Sequence, residues 1–156
     1  MLQIPNDIFF TQVAETLAAG DDVTIPMRGV SMLPLLREGR DSVRLTPVSR
    51  RAVRRGDVVL FRHGGRYVLH RYRGLRDGLL HIHGDGLLGR GEYCRREDVV
   101  AVMTHVVRRS GVAVSVGSLR WRVLSTLWLL IRVPALHVRN RLGKCKEWVC
   151  KQTRDK

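Results

Sequence analysis

The chain has 156 residues, of which 44% are apolar and 27% are charged. This length supports one globular domain with a substantial core, and the composition excludes a disordered or low-complexity chain. The formal net charge of +14 makes nucleic acid, an anionic membrane surface and acidic proteins the candidate attractors.

Lysine and cysteine are unevenly distributed. All four lysines lie at or beyond Lys144, so the body of the chain carries its positive charge on arginine, which cannot act as a neutral base. Cys94, Cys145 and Cys150 form no disulfide framework by number or spacing, which fits a reducing compartment. Near the N-terminus we find neither a basic region nor a long apolar segment, so we expect no signal peptide or anchor there.

The first predicted element is a helix over residues 6–19. Asn6 or Asp7 can cap it, its apolar residues recur near helical spacing, and Gly20 occupies the position of a terminating glycine. Alternating apolar residues then predict a strand over 23–28.

The middle of the chain reads as short strands separated by turns. A hairpin signal at 63–65 joins two of them. The predicted strands are 41–45, 58–61, 66–73, 79–83 and 98–107. The fold class is therefore mainly β: a partly closed antiparallel barrel or coiled sheet with an N-terminal helix and a C-terminal amphipathic helical tail.

The tail differs in character from the body, and we divide the chain into a β domain over 1–112 and a tail over 113–156. Residues 119–156 carry ten Lys or Arg and two acids. Their apolar stretch would reach about 24 Å as a helix, short of the ~30 Å hydrocarbon core. We expect a helix that lies on an anionic membrane surface or packs on the body, with a single span as the weaker alternative. The protein would then work in the cytoplasm or at the inner membrane surface.

One serine lies in a setting suited to a nucleophile. Ser31 follows the predicted strand and Gly29, and Pro34 restricts the backbone that comes after it. A stiff strand-to-turn junction gives a hydroxyl both fixed geometry and access. An ordinary turn serine explains the motif equally well when it is considered alone.

Two further boxes accompany the segment Gly29-Val30-Ser31-Met32-Leu33-Pro34. They are Gly56-Asp57-Val58-Val59-Leu60-Phe61 with the following Leu69-His70-Arg71, and His83-Gly84-Asp85-Gly86 with the loop to Glu92. Together, over residues 7–107, they resemble the superfamily of type I signal peptidases and LexA-type self-cleaving repressors. Within it, the set is most similar to small signal-peptidase-like serine endopeptidases.

The resemblance implies a serine endopeptidase that processes signal- or leader-peptide-like substrates. Ser31 is the implied nucleophile. The base is a lysine in many relatives, but His70 stands here at that position, as in the endoplasmic-reticulum and archaeal type. Asp85 is the implied carboxylate that orients His70, with Glu92 as a second candidate.

The same resemblance implies substrate and oxyanion contacts from Gly29, Met32 and Pro34, and neither a cofactor nor a metal ion. Relatives often carry a serine at the position of Gly29 whose hydroxyl helps to bind the oxyanion. Its absence leaves the Ser31 amide as the expected donor. For Met32, a place in the core is the alternative.

Two other functions remain open. A LexA-type protein would cleave itself, and Ala19-Gly20 is a bond of the required kind. A non-enzymatic basic module would bind nucleic acid or an anionic membrane; aromatic residues amount to 6% and are not interleaved with basic ones, so we expect no specific nucleic acid partner. His81, His83 and Cys94 lack a diagnostic metal-site spacing.

Overall fold

The computed structural model describes the backbone of residues 6–152 and the side chains of residues 9–138. Within the described chain, eight antiparallel strands form one sheet, with a helix before it and a helix after it. The strands are β1 (Val23–Pro26), β2 (Asp41–Pro47), β3 (Val58–His63), β4 (Arg66–Arg76), β5 (Leu79–His83), β6 (Glu92–Cys94), β7 (Val99–Arg108) and β8 (Ala113–Ser115). The helices are α1 (Asn6–Ala18) and α2 (Leu119–Gln152), and a 3₁₀ turn covers Arg96–Asp98.

The strand order is β1-β2-β7-β3-β4-β5-β6, with β8 paired to the second half of β7. The two end strands, β1 and β6, are not paired with each other, so the sheet does not close into a barrel. The predicted class, a mainly β protein with a coiled antiparallel sheet and a helix at each end, is confirmed.

The sheet is covered on both faces. Val58 and Leu60 of β3 enter a core cluster with α1, β1 and β2, while Val59 and Phe61 enter a second cluster with β4 and β5. Successive strand residues point to opposite faces, so an uninterrupted apolar run is the pattern of a strand buried on both sides. Each such side chain contributes roughly 1.5–3 kcal/mol on burial, which makes β3 the centre of the fold.

The N-terminal helix ends as its sequence predicts. Val13 and Leu17 of α1 are buried against the sheet. Gly20 has a φ of +94° and its amide donates to the Leu17 carbonyl at 3.1 Å. A positive φ at this position is cheap only for glycine.

The tail is less separate from the body than we expected. β8 pairs with β7 through Val114 and Val106, so the predicted boundary at residue 112 falls just before a strand of the sheet. α2 buries Trp121, Ser125 and Leu136 on one face. Among the described residues, no helix combines the length and the apolar character needed to cross a membrane.

Asp41 closes the loop between β1 and β2. Its carboxylate accepts hydrogen bonds from the Arg37 amide at 2.8 Å, from the Arg40 guanidinium at 2.7 Å and from Arg108 of β7. Burial alone would raise the pKa of Asp41, but these hydrogen bonds outweigh it and hold the pKa below its ordinary value of 3.8. Ionised Asp41 therefore stabilises the fold.

We expect Asp41→Asn to lower the free energy of unfolding at neutral pH by roughly 1–3 kcal/mol. Because the folded pKa is depressed, this stabilisation is present above the unfolded pKa and is lost as the pH falls through the folded pKa. Urea denaturation of both proteins between about pH 7 and pH 3 measures the difference, which should shrink below about pH 4. Asp21→Asn, at an exposed residue between α1 and β1, is the control. A difference independent of pH would contradict the prediction.

Candidate active site

The Ser31 loop, residues 27–40, is fixed by a backbone hydrogen bond that joins its ends and by two buried side chains in its middle. The Met27 amide donates to the Asp41 carbonyl at 2.9 Å. Met32 and Leu36 are each only 1% exposed in the core, and the Leu36 amide donates to the Met32 carbonyl at 3.1 Å. Ser31, immediately before a buried anchor, is half-buried at the rim of the loop. Its hydroxyl makes no hydrogen bond to a described residue.

Gly29 has a φ of +77° and its amide donates to the Glu38 carboxylate at 3.0 Å. Positive φ favours glycine, so the backbone explains why no serine stands two positions before Ser31. Among the described residues, the Ser31 amide has no hydrogen-bond acceptor, which leaves it available as the oxyanion donor we expected.

The Gly-Asp-Gly loop, residues 84–86, follows β5 and packs directly against the Ser31 loop. The Gly86 amide donates to the Ser31 carbonyl at 2.7 Å. A Cβ placed on Gly84 would lie 2.7 Å from the Ser31 carbonyl oxygen, and one on Gly86 would lie 2.7 Å from the Val30 carbonyl oxygen. Neither position has space for a side chain, so both must be glycine. The sequence alone does not indicate this close approach.

Gly84 also separates Ser31 from His70. His70 lies on β4 and is 5% exposed, and its Nε2 is 3.1 Å from the same Cβ position that lies 2.7 Å from the Ser31 carbonyl. The two residues are thirty-nine positions apart in the sequence, yet the fold brings the serine backbone and the imidazole together around one glycine.

Glu92, the first residue of β6, supplies the carboxylate beside His70. Its Oε2 lies 3.0 Å from Nδ1 of the imidazole. A carboxylate accepts hydrogen bonds, so this contact assigns the proton of neutral His70 to Nδ1 and leaves the Nε2 lone pair free to accept a proton. Nε2 is also the nitrogen that faces the Ser31 loop.

Asp85, expected to orient His70, has a different partner. Both of its oxygens accept from Arg71, at 2.9 Å from Nε and 2.6 Å from Nη2, and Arg71 Nη1 donates to the Gly56 carbonyl at 2.7 Å. His70 and Arg71 are successive strand residues and so point to opposite faces of β4. An acid on the Arg71 side therefore cannot also orient His70, and Glu92 takes the place first given to Asp85.

The C-terminal helix buttresses the Gly-Asp-Gly loop. Trp128 Nε1 donates to the Asp85 carbonyl at 3.0 Å, and Arg132 Nη1 donates to the carbonyls of Leu87 at 3.3 Å and Gly84 at 3.4 Å. One face of α2 thus packs on the β domain, which is one of the two arrangements expected from the sequence.

Two of the residues expected to contact substrate, Met32 and Pro34, lie in different environments. Met32 lies in the core, the alternative left open for it, and cannot contact a substrate there. Pro34 is exposed and lines an apolar groove of about 320 Å³ between the Ser31 loop and α2. The groove also includes Leu35, Leu124, Leu127, Trp128 and Ile131, with Arg40 and Arg108 at its edge.

His81 and His83 lie within hydrogen-bond distance of backbone carbonyls, and Cys94 is buried. His81 Nε2 lies 2.8 Å from the Arg90 carbonyl, and His83 Nδ1 lies 2.7 Å from the Gly84 carbonyl. Burial, assisted by the charge of Asp98, raises the pKa of the Cys94 thiol to about 11. Over residues 9–138 no group of three or more His, Cys, Asp or Glu side chains is placed to hold a metal ion. Cys145 and Cys150 lie outside the described side chains.

Comparisons with protein families, with curated proteins and with solved structures give no match to this chain.

The two acids should be separable by experiment. We expect Asp85→Asn to lower the free energy of unfolding by about 3–5 kcal/mol, because it leaves the buried Arg71 guanidinium without its counter-charge. Glu92→Gln, whose side chain is 26% exposed, should cost about 1 kcal/mol or less. Urea denaturation measures both values, and equal destabilisation by the two variants would contradict this division.

Proposed function

We propose that the protein is a serine endopeptidase in which Ser31 is the nucleophile, His70 the general base and Glu92 the carboxylate that orients His70. One observation carries the proposal: His70 places Nδ1 on a carboxylate and Nε2 toward the Ser31 loop, across a glycine that leaves no room for a side chain. The resemblance of the three sequence boxes to signal-peptidase-like enzymes supports the same assignment.

The chemistry follows from the protonation of His70. Ser31 Oγ attacks the carbonyl carbon of a peptide bond while its proton passes to His70 Nε2, and Glu92 stabilises the imidazolium that forms. The Ser31 amide donates to the oxyanion. His70 then protonates the leaving amine, and a water molecule, activated by the same nitrogen, hydrolyses the acyl-enzyme.

The attack requires a hydrogen bond between the Ser31 hydroxyl and His70, which the structure does not contain. Because the hydroxyl has no other partner among the described residues, rotating it toward Nε2 breaks no hydrogen bond. Catalytic hydrogen bonds often tighten only when substrate is bound.

The surroundings of Ser31 favour an extended substrate with an apolar segment. β1 is an end strand of the described sheet and leads directly into the Ser31 loop, so a peptide can add to its outer edge. The apolar groove beside Pro34 is continuous with the same loop and offers room for the side chains of that segment.

We expect the purified full-length protein to cleave members of a synthetic peptide mixture, with new termini identified by mass spectrometry. Ser31→Ala and His70→Ala should abolish cleavage, and Glu92→Gln should slow it by about 10²-fold or more, the scale of a general acid–base contribution. Ser110→Ala, in an exposed turn, should cleave like the wild type. Cleavage that survives Ser31→Ala would assign the activity to another residue or protein.

A second function rests on the outer face of α2, which we define as Leu119, Val123, Leu130 and Val133. These side chains are 47–77% exposed, an unusual density of apolar residues for a free surface. Residues 119–138 contain no acid, and the whole chain carries a net charge of +14, which would repel a second copy. We propose that this face lies on an anionic membrane surface, so that the peptidase is peripheral to the membrane.

We expect the protein to sediment with vesicles of phosphatidylcholine and phosphatidylglycerol and much less with phosphatidylcholine alone. Val123→Glu and Leu130→Glu should each weaken binding roughly tenfold, because a buried valine or leucine contributes about 1.5–3 kcal/mol. Val112→Glu, at an exposed valine between β7 and β8, is the matched control. Equal losses in all three variants would show that only net charge matters.

A further inference from the structure

A cavity of about 380 Å³, whose lining includes neither Ser31 nor His70, opens beside β4 and β5. Arg55, Arg73 and Arg76 line it together with His81 and the backbone of Gly74. Arg73 is half-buried and Arg55 and Arg76 are exposed, so the three arginines together raise the positive potential at the mouth of the cavity.

These arginines lack the carboxylates that neutralise others in the fold. Arg40, Arg51 and Arg71 each form an ion pair with an aspartate. Over the described residues, Arg55 and Arg73 form neither an ion pair nor a side-chain hydrogen bond. Arg76 has only a long contact, 3.5 Å, with the Tyr93 hydroxyl.

Arg73 is the most enclosed of the three. Burial lowers its pKa, the charges of Arg132, Arg71 and Arg55 lower it further, and Asp85 only partly opposes them. A guanidinium remains protonated at neutral pH under such shifts. The cavity therefore holds positive charge that no described side chain balances.

The backbone directs Arg73 into this position. Tyr72 pairs with Ile82 and Gly74 pairs with His81, so Arg73 is the extra residue of a β-bulge. A bulge redirects a side chain out of the regular alternation of the strand. Gly74 has a φ of +144°, which favours glycine, and Arg55 packs beside it, with Nε 3.8 Å from the Cβ position of that glycine.

We propose that this arginine pocket, defined by Arg55, Arg73 and Arg76, binds a phosphate monoester or inorganic phosphate. A phosphate dianion matches several unpaired guanidinium groups better than a single carboxylate does, and the planar fork of arginine suits its oxygens. The pocket contains neither Ser31 nor His70, and the proposal stands independently of the peptidase function.

Isothermal titration calorimetry of the full-length protein with inorganic phosphate tests the free anion. Sedimentation with phosphatidylcholine vesicles, with and without phosphatidic acid, tests the same group as a lipid headgroup. We expect Arg73→Gln and Arg55→Gln each to weaken binding at least about tenfold, the effect of losing one charge-assisted hydrogen bond. Arg62→Gln, which removes the same charge from an exposed position on β3, should bind like the wild type.

Binding of free phosphate that falls selectively in the two pocket variants supports a soluble phosphate ligand. The same selective loss seen only with phosphatidic acid vesicles supports a lipid headgroup. No binding in either assay, or an equal loss in Arg62→Gln, would overturn the proposal. Circular dichroism of each variant checks that it is folded, and Arg55→Gln, at an exposed residue, remains informative if Arg73→Gln does not fold.

Discussion

The candidate site depends on the close approach of two loops with almost no side-chain atoms between them. Gly84 and Gly86 bring the backbone of one loop against the carbonyls of Ser31 and Val30, at distances that any Cβ would violate. Such contact fixes the position of the Ser31 backbone relative to β4, since neither loop can shift without breaking the Gly86–Ser31 hydrogen bond. Preorganisation of this kind is what a nucleophile and its base require.

The charged groups near that contact have two different roles, and the face of β4 on which they lie determines which role they have. On one face, Arg71 and Asp85 form a buried ion pair, and Trp128 holds the carbonyl of the same aspartate. Such a pair positions a loop and makes the loss of either partner costly. On the other face, His70 meets the more accessible Glu92, so that its imidazole is oriented by a carboxylate that does not also secure the fold.

Much of the fold could be predicted from the sequence, because the strongest local patterns also determine the packing. The apolar run at Val58–Phe61 is the two-sided central strand, and Gly20 ends α1. The three-residue strands β6 and β8 were missed, since segments so short carry no periodicity of their own. The helical tail was expected, but not that β8 would join it to the sheet.

The sequence boxes point to Ser31 and His70, and the fold brings the Ser31 backbone and the His70 imidazole together around Gly84. The choice between Asp85 and Glu92 depends on the structure. A Gly-Asp-Gly sequence gives no indication of which strand face its aspartate meets, and Glu92 lies in a glycine-rich stretch without a strand signal. The alternation of side chains along β4 decides between the two acids, because an acid that pairs with Arg71 lies on the opposite face from the neighbouring His70. The same rule explains why the sequence does not predict the arginine pocket. The bulge at Arg73 breaks the alternation of β4. A side chain displaced in this way cannot be assigned to a face of the sheet from sequence spacing alone.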